Sequence, residues 1–78
     1  MSQKYNITIM NKSHDTHIPL HAHEENTFNY ILEGDIKLGF ENEPRREYGK
    51  GDWIFINKST KHSLRARKES LILELWEK

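Results

Sequence analysis

Cysteine is absent from this 78-residue chain, which excludes disulfides and thiolate metal sites and leaves nitrogen and oxygen as the only ligands for any ion. Net charge is absent as well. Twelve basic residues cancel twelve acidic ones, removing the bulk electrostatic pull toward nucleic acid or an anionic membrane, so no partner of either kind is expected. No apolar run is long enough to cross a bilayer and no charged-then-apolar leader opens the chain, so a cytoplasmic location is expected. Helical periodicity is missing too, since no segment sustains an apolar stripe at helical spacing. Length itself is scarce: residues 1–78 form one domain near the lower limit at which a single apolar core outweighs chain entropy. Support from a partner chain or a metal is expected.

What is present alternates. Residues 5–10, YNITIM, put Tyr5, Ile7 and Ile9 on one side and Asn6, Thr8 and Met10 on the other, the period of a half-buried strand. NKSHD (11–15) reads as a turn. His17 to His23 is extended, with Pro19 favouring a strand start, an edge or a bulge, and EEN (24–26) is a polar break. Residues 27–33 form a strand with apolar groups on both faces: Phe28, Tyr30 and Leu32 on one, Thr27, Asn29 and Ile31 on the other. Gly34-Asp35 followed by alternating Ile36, Leu38 and Phe40 gives a hairpin signal. Residues 41–47 read as a solvated loop, WIFI (53–56) as a strand entered through Gly49, Gly51 and Asp52, and NKSTK (57–61) as a turn. A strand carrying His62, Leu64 and Ala66 on one face follows. The last run sets Leu71, Leu73 and Leu75 opposite Ile72, Glu74 and Trp76. Short strands separated by turns predict an all-β sandwich or barrel.

Side chains at i and i+2 of a strand point the same way, about 6.5–7 Å apart. His21 and His23 can therefore converge on one ion, and His62 shares a face that looks inward with Leu64 and Ala66. Three histidines from two distant strands would meet in the barrel and leave coordination positions open for water or a ligand.

These segments resemble the paired motifs of the cupin superfamily, in which His-x-His is followed by Glu and Gly, and a second segment runs from Gly through Pro-x-Gly to His and Asn. HAHEENTFNYILEG (21–34) matches the first at His21, His23 and Gly34; GDWIFINKSTKH (51–62) matches the second at Gly51 and His62. The resemblance spans residues 15–66. Asp15 stands at the leading glycine of the first motif, while Asn57, Ser59 and Ala66 stand at the proline, glycine and asparagine of the second. Thr27 replaces the metal-binding glutamate. The resemblance implies a small antiparallel jelly roll (an RmlC-like double-stranded β-helix) with a three-histidine site, His21, His23 and His62, for a divalent transition metal: Fe, Mn, Ni or Zn. Without the carboxylate the ion keeps its full double charge, which lowers affinity but makes it a better partner for an anionic chelating ligand.

His17, Glu25 and Asn29 are the candidates for an additional ligand. Glu25 and His17 are the only acid–base candidates, and Trp53 and Trp76 read as packing residues. Lys58 and Lys61 are candidates for the pocket rim, whereas Arg65 and Arg67 should face outward. An outward Phe28, Tyr30 and Leu32 would form an apolar patch that, with the resemblance, implies a homodimer. Two functions stay open: a metal-dependent site acting on a small oxygen-bearing molecule, with dioxygenase, isomerase, epimerase or lyase chemistry all compatible, or a non-catalytic small-ligand, carbohydrate-binding or sensor domain with no functional metal.

Overall fold

The structure, a computed structural model, describes residues 5–77, the side chain of Tyr5 excepted. Eight strands follow one another: β1 (Tyr5–Lys12), β2 (His17–His21), β3 (Thr27–Glu33), β4 (Asp35–Phe40), β5 (Arg46–Gly49), β6 (Trp53–Ile56), β7 (His62–Ala66) and β8 (Ser70–Glu77). They form two four-stranded sheets, ordered β1-β8-β3-β6 and β2-β7-β4-β5, with every pairing antiparallel. Every connection except β4 to β5 crosses from one sheet to the other. This is the jelly-roll arrangement. No helix among the described residues is long and apolar enough to cross a membrane.

Period two places Ile31, Ile36, Leu38, Ile54, Ile56 and Ile72 between the sheets, with Met10, Phe40, Tyr48 and Leu64 packed against them. β-Branched side chains dominate because they suit a pleated, two-layer interior. In β3, Thr27 and Ile31 are fully buried and Asn29 nearly so, as its alternation predicts.

Three expectations change. Gly34-Asp35 does not close a hairpin, since β3 pairs with β6 and β8 whereas β4 pairs with β5 and β7. Gly34 instead turns the chain from one sheet to the other at φ 119°, and a Cβ there would sit 2.6 Å from Ser70 Cα. Ser70 completes this corner: its hydroxyl donates to the Lys68 carbonyl at 2.8 Å and accepts from the Asp35 amide at 3.1 Å. Secondly, part of the expected 41–47 loop is strand β5. That strand lies at a sheet edge and is rich in charge, which hides it from an apolar-alternation reading but suits an edge. Thirdly, the turn expected at 11–15 begins later, because β1 continues to Lys12; the strand packs inward through Met10, while Ile7 and Ile9 remain 63% and 61% exposed.

Candidate metal centre

β2 and β7 pair so that His21 lies opposite His62. Between Ile18 and His21 the β2 register shifts, and the extra residue lets both Ile18 and His21 line the interior. The same shift overturns His17 as a ligand candidate, because His17 falls opposite outward-facing Arg65 and is exposed. His23 follows after β2 has ended. Its carbonyl accepts from the Ser59 amide at 2.7 Å, which ties the His-x-His segment to the loop before His62.

The three imidazoles cluster, with ring centroids 4.7 Å apart for His21 and His23, 4.4 Å for His21 and His62, and 5.1 Å for His23 and His62. Their potential ligand atoms all lie within 4.8 Å of one another. Two nitrogens at about 2.1 Å from one ion are at most about 4.2 Å apart, so the widest separation need close by only roughly 0.6 Å for all three to share an ion. Two rings are already aimed. His21 Nδ1 donates to the Pro19 carbonyl at 2.9 Å and His62 Nδ1 to the Thr60 carbonyl at 2.8 Å; a carbonyl only accepts, so these nitrogens carry the hydrogens and the Nε2 lone pairs are free. His23 Nδ1 is buried with no hydrogen-bond partner.

Electrostatics favour neutral rings. Burial, then the neighbouring His21 and His62, pull the His23 pKa below its ordinary 6.5 against the opposing pull of Glu25. Burial also lowers that of His62, opposed by its bond to Thr60 and assisted by His21. Neutral imidazole is the form that binds a metal. The donor set therefore fits a divalent transition ion.

The cluster sits at one end of a cavity of about 220 Å³ whose floor is the isoleucine and leucine core, with Met10 and Leu64 beside it. Asn29 lines this cavity, although its side-chain amide donates to Thr27 Oγ1 at 3.4 Å. Glu25 is exposed and outside the three-histidine cluster. Lys58 and Lys61 do not contribute to the cavity wall, and Lys61 instead pairs with Glu41 at 3.8 Å on the surface. Arg65 and Arg67 are exposed, as expected.

Two cavity residues escape the sequence reading. Trp76, expected only to pack, stands 4.8 Å from the His23 ring and forms a cavity wall. Trp53, by contrast, is 59% exposed on the outside of the sheet and packs against Tyr30, with ring centroids 4.6 Å apart and planes tilted by 45°. Glu74 is buried and lines the same cavity; burial pushes its carboxyl above the ordinary carboxylate range, opposed by a hydrogen bond from Trp76, by Lys12 and by His21. A charged residue in the inward parity of an apolar strand, between Ile72 and Trp76, was the available signal.

Residues 9–76 match the family model described as a cupin domain. The chain belongs to the cupin family. No curated protein matches its sequence. Solved structures similar to this cupin include the DMSP lyase DddQ from Ruegeria pomeroyi DSS-3, with 24% identity, a TM-score of 0.88, and 99% of this chain but only 40% of that one covered. An RmlC-like cupin from Shewanella frigidimarina NCIMB 400 has 13% identity and a TM-score of 0.86, covering 99% of this chain and 68% of that one. Oxalate decarboxylase of Bacillus subtilis, a protein with Mn(II) centres, has 20% identity and a TM-score of 0.86, covering 97% of this cupin and 22% of its own length. The likeness at these identities is one of fold.

Proposed function

We propose that His21, His23 and His62 hold a divalent transition metal (Fe, Mn, Ni or Zn), and that a small oxygen-bearing molecule binds at the ion's open positions. The observation that carries this reading is the convergence of three imidazoles from two segments, two of them tethered through Nδ1 so that Nε2 is free. A bound ion would supply Lewis-acid polarisation of a coordinated carbonyl or carboxylate oxygen. The chain's own residues do the rest: the isoleucine floor excludes water and limits size, and Trp76 walls the ligand on the His23 side. At about 220 Å³, the cavity lies below the ~300–1,000 Å³ of drug-sized sites. The ligand is correspondingly small.

Binding without turnover is the second reading, favoured by Thr27, which is fully buried where the motif carries its acid. Tag-free protein titrated with Mn(II), Ni(II) or Zn(II) should take up one equivalent, and His21→Ala with His62→Ala should each lower affinity at least a hundredfold. No stoichiometric uptake by wild type, or undiminished uptake by both variants, overturns the metal reading. With the metal in place, oxygen-uptake and isomerase screens separate catalysis from binding.

We also propose a homodimer built on the outer face of the β1-β8-β3-β6 sheet. Cross-strand register aligns Ile7, Leu75, Phe28 and Phe55 in one row and Ile9, Leu73, Tyr30 and Trp53 in a second. Phe28 packs against Phe55 with ring centroids 4.5 Å apart and planes tilted by 41°, and both rings remain partly exposed. Two apolar rows crossing all four strands are the kind of patch that marks an interface, and a second copy would relieve the shortage of core expected of so short a chain.

A further inference from the structure

Glu74 is the only carboxylate among the described residues that lines the cavity. It is 5% exposed, and its Oε1 is buried without a hydrogen-bond partner. An ionised carboxylate is purely an acceptor, and leaving one unmet in a buried site costs roughly 1–3 kcal/mol or more. Once ionised, the form that a nearby divalent charge favours, that oxygen calls for a donor from outside the chain.

The surroundings do not meet the need. On β3 the register partner is Asn29, whose amide is directed to Thr27. Thr8 is the partner on β1, where Lys12 also bears on the carboxylate; His21 does so from β2 and Trp76 from its own strand. Lys12 lines the cavity, but among the described residues no ion pair joins it to Glu74. In register, Trp76 lies opposite Thr27 and Glu74 opposite Asn29. The β3 motif position itself has no acid, but Glu74 supplies one on the adjacent strand two residues along the register, outside the histidine cluster.

Taking the metal reading as its basis, we propose that Glu74 determines specificity. Its free Oε1 accepts a hydrogen bond from the hydroxyl of a small 2-hydroxy acid whose carboxylate is drawn to the metal on the histidines. Each half of the ligand has its counterpart. Three neutral ligands leave a divalent ion its full charge, which attracts an anionic oxygen. That same charge favours the ionised, acceptor form of Glu74. The apolar floor admits a short hydrocarbon substituent and nothing strongly polar. A carboxylate with an adjacent hydroxyl and a compact tail satisfies the polar end and the floor together.

Glycolate and methoxyacetate test this on Co(II)-loaded protein, with binding followed through the visible Co(II) absorption. Both present the same chelating oxygens, and only glycolate has the O–H. A charge-assisted hydrogen bond exceeds a neutral one by about a factor of two in energy. Glu74→Gln should therefore weaken glycolate about tenfold, equivalent to ~1.4 kcal/mol, while methoxyacetate changes less than twofold and Co(II) stoichiometry stays at one. Glu74→Met, which removes the acceptor, should weaken glycolate further. Equal loss of both probes, or loss of neither, overturns the assignment, as does failure of glycolate to bind Co(II)-loaded wild type. A large loss of Co(II) from Glu74→Gln would make Glu74 a metal ligand instead. Failure of wild type to take Co(II) at all overturns the metal reading, and this proposal with it.

Discussion

Histidines 23 and 62 sit in an environment that resists their protonation, and this gives the metal-free protein a pH-dependent stability of definite sign. With folded-state pKa values below the ordinary 6.5, the unfolded chain takes up protons first as pH falls. Stability then drops from about pH 6.5 downward, through the lowered values, because the unfolded state binds more protons in that window. Glu74 acts in the opposite sense: its raised pKa means that the folded chain keeps a proton above 4.5, so its contribution to stability declines as pH rises through that window. Replacing His62 by Gln isolates one histidine. Urea midpoints measured at pH 7.5 and 5.5 should differ less in His62→Gln than in wild type, and an unchanged difference would show that His62 protonates without cost to the fold. The histidine spacing was legible because i and i+2 share a strand face over any short extended run. Glu74 and Trp76 were not, because their place beside the histidines depends on β8 pairing with β3, a contact that no local pattern specifies.

Elements carry their own consequences, most visibly where the chain departs from glycine. Asp15 and Ser59 occupy the glycine positions of the two motifs, and both adopt left-handed backbone, at φ 68° and 64°. The turn geometry therefore persists without the residue that makes it easy. Asp tolerates this region better than Ser. Relief of strain in Ser59→Gly competes with the greater unfolded-state freedom of glycine, so a net gain of under about 1 kcal/mol is expected, read as a small rise in melting temperature. Gly34→Ala should do the reverse. A φ of 119° and a clash with the Ser70 backbone predict a loss of at least about 2 kcal/mol, measurable by denaturant unfolding. Period-two alternation located β3, β4, β6, β7 and β8 well. It failed at β5, where REYG lacks an apolar repeat, and it did not say which face of β1 turns inward: Met10 does, while Ile7 and Ile9 belong to an apolar outer surface. The turn at Gly34-Asp35 was visible as a change of direction, but sequence alone did not say that the next strand joins the opposite sheet.

At the scale of the whole molecule, the proposed dimer rests on the two rows of apolar side chains across the outer sheet. A single charge placed in a row, as in Phe28→Glu, should convert the proposed dimer to a monomer in sedimentation or light scattering at micromolar concentration. The three-histidine cluster lies inside the fold, so metal uptake should persist in the variant. A wild-type mass equal to one chain would remove the dimer.

The pairing of His21 with His62 joins residues far apart in the chain, and strands on both sides of that pair alternate between the layers. An emerging polypeptide on the ribosome consequently carries only two of the three clustered histidines until β7 has cleared the exit tunnel and docked on β2. On the proposed metal reading, ion capture would then be a late event in biogenesis, and a halted nascent chain lacking β7 would be left with only the weak grip of a lone His-x-His.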